Sequence, residues 1–171
     1  FDVNLIDINQ EYLDKARATI EKNLGRQLKK EKITEDQMNE TLGRLALVTD
    51  VEAGIKDADL VVEAVNENAD LKKKLFQTFD TGTKPDTVLA SNTSSISLTE
   101  LAAVTSRPEK VIGMHFFNPV PKMKLVEIIP AVQTSSDTLK RAKAIIDSWE
   151  KLTVVAKDTP GFIVNKVARP F

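Results

Sequence analysis

Residues 58–91 read ADLVVEAVNENADLKKKLFQTFDTGTKPDTVLAS, and how this stretch divides decides the fold. ADLVVEA (58–64) and TVLAS (87–91) are short, apolar, β-branched runs of the kind buried in a parallel sheet. ADLKKKLFQTF (69–79), between them, has helical character. Two such strands joined by a helix make a crossover, because parallel neighbours need a connection packed on a sheet face.

The same alternation continues on both sides. Toward the N-terminus, FDVNLID (1–7) and RLALVT (44–49) read as strands, with a short helix over 50–55. Between those strands Leu13, Ala16, Ala18, Ile20 and Leu24 recur at near-helical spacing among charged residues, an amphipathic helix over 11–28. Thr34 followed by Gln37 is a capping-box pattern, so a second helix returns toward Leu45 and residues 10–43 form a helical hairpin. Toward the C-terminus, a short helix over 97–104 precedes strands at KVIGMH (110–115) and 125–129. A helix over TLKRAKAIIDSW (138–149) and a last strand at 153–156 follow. DTPG (158–161) breaks the chain before an apolar helix over 162–167. The expected fold class is α/β: a doubly wound, mostly parallel sheet with the helical hairpin as an insertion.

Composition narrows the function. A chain of 171 residues fits one ordinary domain. Its 24 Lys and Arg against 25 Asp and Glu leave a net charge of −1, with no global field to attract nucleic acid or an anionic membrane. The absence of cysteine removes thiolate metal sites and fits a reducing compartment. No apolar run reaches the ~18 residues of a membrane span, and the opening residues lack a signal-peptide pattern. These features predict a soluble, cytoplasmic protein.

Ligands of doubly wound sheets bind outside the carboxyl ends of the strands. Asp7, residues 63–67, residues 91–94 and His115 all fall at such ends. His115, the one histidine, stands in MHFFNPVP, and Glu127 follows in KLVEIIP. A carboxylate on a neighbouring strand suits one imidazole nitrogen while the other takes a proton, the arrangement of a general base. Position alone also suits a histidine at the surface or satisfied in the core. SNTSS (91–95) offers hydroxyls and an amide for a polar substrate or a nicotinamide carboxamide, or equally a turn and a helix cap. Asp7 is where a dinucleotide fold puts its ribose-binding acid, and also where a helix N-cap falls. The G-x-G-x-x-G loop that would precede such an acid does not occur in the sequence. QLKKEK (27–32) is a basic stretch suited to a phosphorylated ligand such as coenzyme A, or to a solvated helix end.

Four blocks in register, DLVVEAVNEN, VLASNTSSISLTELA, VIGMHFFNPVPKMKLVEIIP and VAKDTPGFIVNKVARPF, resemble the L-3-hydroxyacyl-CoA dehydrogenase family through nearly the whole chain. The likeness is greatest to its short, monofunctional members of the 3-hydroxybutyryl-CoA type, which PVPKMKLVE matches better than the multifunctional proteins. The resemblance implies interconversion of (S)-3-hydroxyacyl-CoA and 3-oxoacyl-CoA with NAD(H), in fatty acid β-oxidation or butanoate metabolism. It implies that His115 is the catalytic base, that Glu127 orients and supports it, and that Ser94, Asn118 and Asn165 hydrogen-bond the substrate. Asp7 then resembles the ribose-binding acid, which favours NAD because it would repel a 2′-phosphate. Glu67, Lys72 and Asn92 look like further cofactor contacts, and no metal is implied. The expected organisation is an NAD-binding domain over 1–157 lacking its first strand and glycine loop. A linker and the first helix of a second domain would follow over 158–171. In the family that second domain closes over the acyl-CoA and forms a homodimer, with neither nucleic acid nor membrane as partner. Two other readings stay open: a silent binding or structural protein on the same fold, and a dehydrogenase of another substrate such as a sugar acid.

Overall fold

The structure, a computed structural model, describes residues 1–168. The end of the expected segment 158–171 therefore lies outside the described residues. The chain divides into two compact units, the first Phe1–Asp57 and the second from Ala58 onward.

The first unit contains β1 (Val3–Ile6), α1 (Gln10–Leu28), α2 (Glu35–Gly43), β2 (Leu45–Val48) and α3 (Val51–Ile55). β1 and β2 pair in parallel, from Val3 opposite Leu45 to Ile6 opposite Val48. The helical hairpin forms as its sequence predicts. The Thr34 hydroxyl accepts from the Gln37 amide at 3.2 Å, and the Gln37 side chain accepts from the Thr34 amide at 2.9 Å. That reciprocal box satisfies two of the amides a helix start leaves open.

The second unit holds β3 (Leu60–Glu63), α4 (Ala69–Gly82), β4 (Val88–Ser91), α5 (Leu98–Ala102), β5 (Val111–Phe116), β6 (Leu125–Pro130), α6 (Ser136–Ser148), β7 (Leu152–Val155) and α7 (Val164–Ala168). Its sheet runs β3-β4-β5-β6-β7. Three of the four pairings are parallel, as expected, but β5 and β6 are antiparallel. The connection explains the exception. Only residues 117–124 separate these two strands, whereas a parallel crossover needs about a dozen residues or more. The last helix also starts later than the sequence suggests, at Val164, because Gly161 and Phe162 adopt left-handed backbone angles.

Strand alternation sorts the second unit into two faces. Val88, Ala90, Ile112, Met114, Val126 and Ile128 join Ala142 and Ile146 of α6 in one fully buried cluster. Each large aliphatic side chain so buried stabilises the fold by about 1.5–3 kcal/mol. The intervening positions Glu63, Ser91, Gly113, His115 and Glu127 face the other way, toward α4 and α5. Sheet parity thus gathers the buried polar residues of β3 to β6 on one side, while on the α6 side Thr153 of the edge strand bonds Lys143 and Asp147 at the rim of the apolar cluster. Among the described residues no helix is long and apolar enough to cross a membrane.

Gly113 is what lets α5 lie close on this second face. A Cβ there would stand 2.9 Å from Ile129 Cβ and 3.1 Å from Leu98 Cγ. Gly113→Ala is expected to destabilise the protein by about 1–3 kcal/mol through overpacking, read as a lower denaturation midpoint. An unchanged midpoint would show that α5 can shift outward freely.

Candidate active site

The antiparallel turn from β5 to β6 sets His115 directly opposite Glu127. His115 Nδ1 lies 2.7 Å from Glu127 Oε2, with His115 6% exposed and Glu127 fully buried. Glu127 Oε1 accepts from the Ile163 and Val164 amides, each at 2.9 Å. Among the described residues, His115 is the only charged or titratable side chain paired with this carboxylate. A carboxylate sustained by three donors remains an acceptor, so Nδ1 carries its proton and Nε2 presents a lone pair. Among the described residues no hydrogen bond engages Nε2. It is not among the buried unpartnered atoms either, since Gln133 Oε1 is the sole example among the described residues. Nε2 therefore keeps access to the surface. Phe117 and Phe162 flank the imidazole, with ring centroids 4.7 and 5.5 Å away. They pack against the ring and limit its rotation.

A second polar cluster lies at the ends of β3 and β4. Lys72 of α4 is fully buried, and its ammonium donates to Glu63 Oε1 at 2.7 Å and to the Val65 carbonyl at 3.1 Å. Glu67 Oε2 stands 3.4 Å from the same ammonium. Two hydrogen bonds and a second ion pair thus surround the ammonium. Glu63 also accepts from Ser91 Oγ at 2.6 Å and the Val65 amide at 2.6 Å. Glu67 Oε1 gathers the Thr93 hydroxyl at 2.5 Å, the Ser94 and Ser95 amides at 2.9 and 3.0 Å, and the Ser95 hydroxyl at 2.9 Å. Partial burial pushes the Glu67 carboxyl upward, but these donors and the Lys72 charge outweigh it and hold the group at about 2.

Of the other residues singled out from the sequence, those of the second unit fall around these two clusters, and Asp7 belongs to the first unit. Asn92 Oδ1 accepts from the Phe116 amide at 2.9 Å, which ties the end of β4 to the residue after His115 and leaves the Asn92 amino group available. Ser94 is half-buried and its backbone is fixed on Glu67, while among the described residues no hydrogen bond engages its hydroxyl. Asn118 is exposed on the turn after β5, and Asn165 is half-buried in α7, immediately after the two amides that hold Glu127. Asp7, in the first unit, is half-buried at the end of β1 and accepts only weakly from the Asn9 amide at 3.2 Å. The N-cap of α1 is Asn9 rather than Asp7, so the Asp7 carboxylate is not committed to the helix. Lys72, expected as a cofactor contact, has its ammonium among acidic and carbonyl groups.

Sequence reading passed over several contributors. Glu63 closes an apolar strand, and that a charged residue there turns inward onto Lys72 was legible only as a carboxylate in a buried run. Asp158 accepts from Ser97 Oγ at 2.8 Å, the Leu98 amide at 3.0 Å and the Thr99 amide at 2.8 Å, fixing the segment after β7 to the first turn of α5. The Ile163 and Val164 amides have no sequence signal at all, since any residue but proline supplies an N–H.

A family model described as 3-hydroxyacyl-CoA dehydrogenase, NAD binding domain, matches residues 1–159. A probable 3-hydroxybutyryl-CoA dehydrogenase of Bacillus subtilis is 42% identical over 170 residues, covering 99% of this chain and 59% of that protein. The mitochondrial hydroxyacyl-coenzyme A dehydrogenase of Rattus norvegicus is 41% identical over 174 residues, covering 99% of this chain and 55% of that protein. The chain therefore spans less than two thirds of the length of these relatives. The crystal structure of 3-hydroxybutyryl-CoA dehydrogenase from Escherichia coli K12 superposes with a TM-score of 0.95 at 43% identity, over 99% of this chain and 36% of that one.

The Glu67 network carries a pH signature. Its folded value of about 2 lies below the ordinary 4.5, so ionised Glu67 favours the folded state. That contribution is complete above pH 4.5 and is lost as pH falls toward 2. Glu67→Gln is expected to flatten the acid side of the stability curve over that interval, measured by denaturant titration at several pH values. An equally steep acid loss in the variant would show that the network does not hold the charge.

Proposed function

The chain belongs to the 3-hydroxyacyl-CoA dehydrogenase family, in its NAD-binding domain, and from that premise we propose that its site serves the interconversion of (S)-3-hydroxyacyl-CoA and 3-oxoacyl-CoA, with 3-hydroxybutyryl-CoA as the substrate. The observation that carries the reading is the buried 2.7 Å contact between His115 Nδ1 and Glu127, with Nε2 left open. A neutral imidazole held in one tautomer by a carboxylate is a base prepared for an alcohol proton.

In the oxidative direction Nε2 takes the proton of the 3-hydroxyl group as C3 gives up its hydride. Glu127 offsets the positive charge that then develops on the ring. In the reductive direction the imidazolium returns that proton to the forming alcohol oxygen. The unengaged Ser94 hydroxyl and the Asn118 and Asn165 carboxamides hydrogen-bond the oxygens of the acyl group near C3, a positioning effect that lowers the barrier without covalent chemistry. The bulky side chains of Phe117 and Phe162 pack against the imidazole and keep its Nε2 aimed in one direction.

Within each unit the donors and acceptors suit one part of a dinucleotide. Asp7 offers a carboxylate with an uncommitted oxygen for a ribose diol, and its charge selects NAD over a 2′-phosphorylated cofactor. Glu67 stays ionised and partly exposed, and among the described residues no hydrogen bond engages the Asn92 amino group. Lys72 serves this group from behind, by holding Glu63 and Glu67 in place. NAD, when bound, supplies the hydride acceptor. Residues 1–157 form the NAD-binding domain in this reading, and 158–171 begin the helical domain that would cover the acyl-CoA in a cytoplasmic homodimer.

In the full-length protein, His115→Gln is expected to lower acetoacetyl-CoA-dependent NADH oxidation by about 10²–10⁴-fold while NADH affinity, read by fluorescence titration, is unchanged. Turnover near that of the parent would remove His115 as the base. Activity of the parent on a sugar acid but not on acetoacetyl-CoA would reassign the substrate.

A further inference from the structure

We infer that the left-handed turn at Gly161 and Phe162 is a positioning element for the His115–Glu127 pair: it aims the Ile163 and Val164 amides at Glu127 Oε1 and thereby sets how strongly the imidazole draws its proton. The inference rests on the proposed dehydrogenase reading, because it assigns a role to the base that reading names.

The backbone is the first observation. Gly161 has φ 77° and Phe162 has φ 46°. Glycine takes such angles freely, but a bulky residue does so only where its surroundings over-determine it, and such residues cluster at functional sites. Phe162 is 4% exposed, with its ring edge-on to His115 at 5.5 Å. The turn is held from both sides, since the Phe162 amide donates to the Thr159 carbonyl at 2.9 Å and the Lys166 amide donates to the Gly161 carbonyl at 3.1 Å. Directly after these two residues, successive amides converge on one carboxylate oxygen. One strained residue therefore touches the imidazole with its ring and delivers its partner's donors with its backbone.

Electrostatics is the second observation. Glu127 is fully buried. Of the elements beside it, β5 offers His115, and β7 offers Val154 in the paired position. α7 carries Lys166, which is exposed and makes no ion pair among the described residues. The two amides are then the fixed positive ends that disperse the charge on Oε1, and the other oxygen faces the imidazole. Hydrogen bonds to a charged carboxylate stabilise that form. Removing them would concentrate negative charge toward His115, which would hold its proton more tightly and release it less readily.

Two changes in the full-length protein test this. Gly161→Ala puts a Cβ on a left-handed residue, 3.4 Å from the Lys166 amide nitrogen, and should displace both donors. Replacing the Val164 peptide N–H by an ester oxygen removes one donor and keeps every side chain. It spares the helical ladder, because that N–H bonds Glu127. In both, the acid limb of the kcat/KM profile for 3-hydroxybutyryl-CoA oxidation is expected to move to higher pH by about half a unit or more, with KM for NAD unchanged. A purely structural turn would lower activity at all pH values without moving the limb. An ester variant whose limb superimposes on the parent overturns the inference, and it decides the matter alone if Gly161→Ala does not fold. His115→Gln separates the two levels. If it is inactive while the ester profile superimposes, the dehydrogenase reading stands and only this inference falls. If it is active, both fall.

Discussion

A carboxylate with no exposed surface costs several kcal/mol to desolvate unless it is paired and hydrogen-bonded, and Glu127 meets that requirement with one imidazole and two backbone amides. The imidazole and the pair of amides come from different parts of the chain. The imidazole is there because β5 turns back on itself into β6 and sets position 115 opposite 127. The amides are there because the chain leaving β7 returns beneath the same strand. Sheet reversal, linker path and base chemistry therefore meet on one side chain.

The second buried charge, the Lys72–Glu63 pair, works differently. Replacing such a pair with apolar residues often costs little, so its presence says more about specificity than about stability. Here it links α4, β3 and, through Ser91, β4. That linkage fixes the backbone from which Glu67 collects the Thr93, Ser94 and Ser95 donors. The loop that presents the Ser94 hydroxyl is thus shaped by charges that need not touch any ligand.

Most of the architecture was legible because it depends on local patterns. Periodicity located α1, the Thr34–Gln37 pair marked the start of α2, and the apolar runs marked β3 and β4. The direction of β6 was not read, although the short 117–124 connection carried the information: loop length, rather than strand composition, decides parallel against antiparallel. His115 and Glu127 could be named from residue type, but their contact depends on register, which is a property of paired strands. Lys72 could be named from its motif, but its burial could not be read, because that depends on the inward-facing Glu63 with which it pairs. The turn at Gly161 was marked by its Pro-Gly signal, whereas left-handed Phe162 had none, since nothing in a phenylalanine announces that conformation.

The Asp158 contacts bear on what kinds of change this region can absorb over evolutionary time. Its carboxylate is anchored on the first turn of α5, and the next anchors, the amides of residues 163 and 164, are on Glu127. The intervening residues 159–162 span at most about 14 Å when fully extended, and they are already folded into a turn. Side chains at the exposed positions of this bridge are open to drift, but its length is not. Shortening this bridge would undo the turn that aims the amides at Glu127, so its length is held more closely than the identity of its exposed side chains.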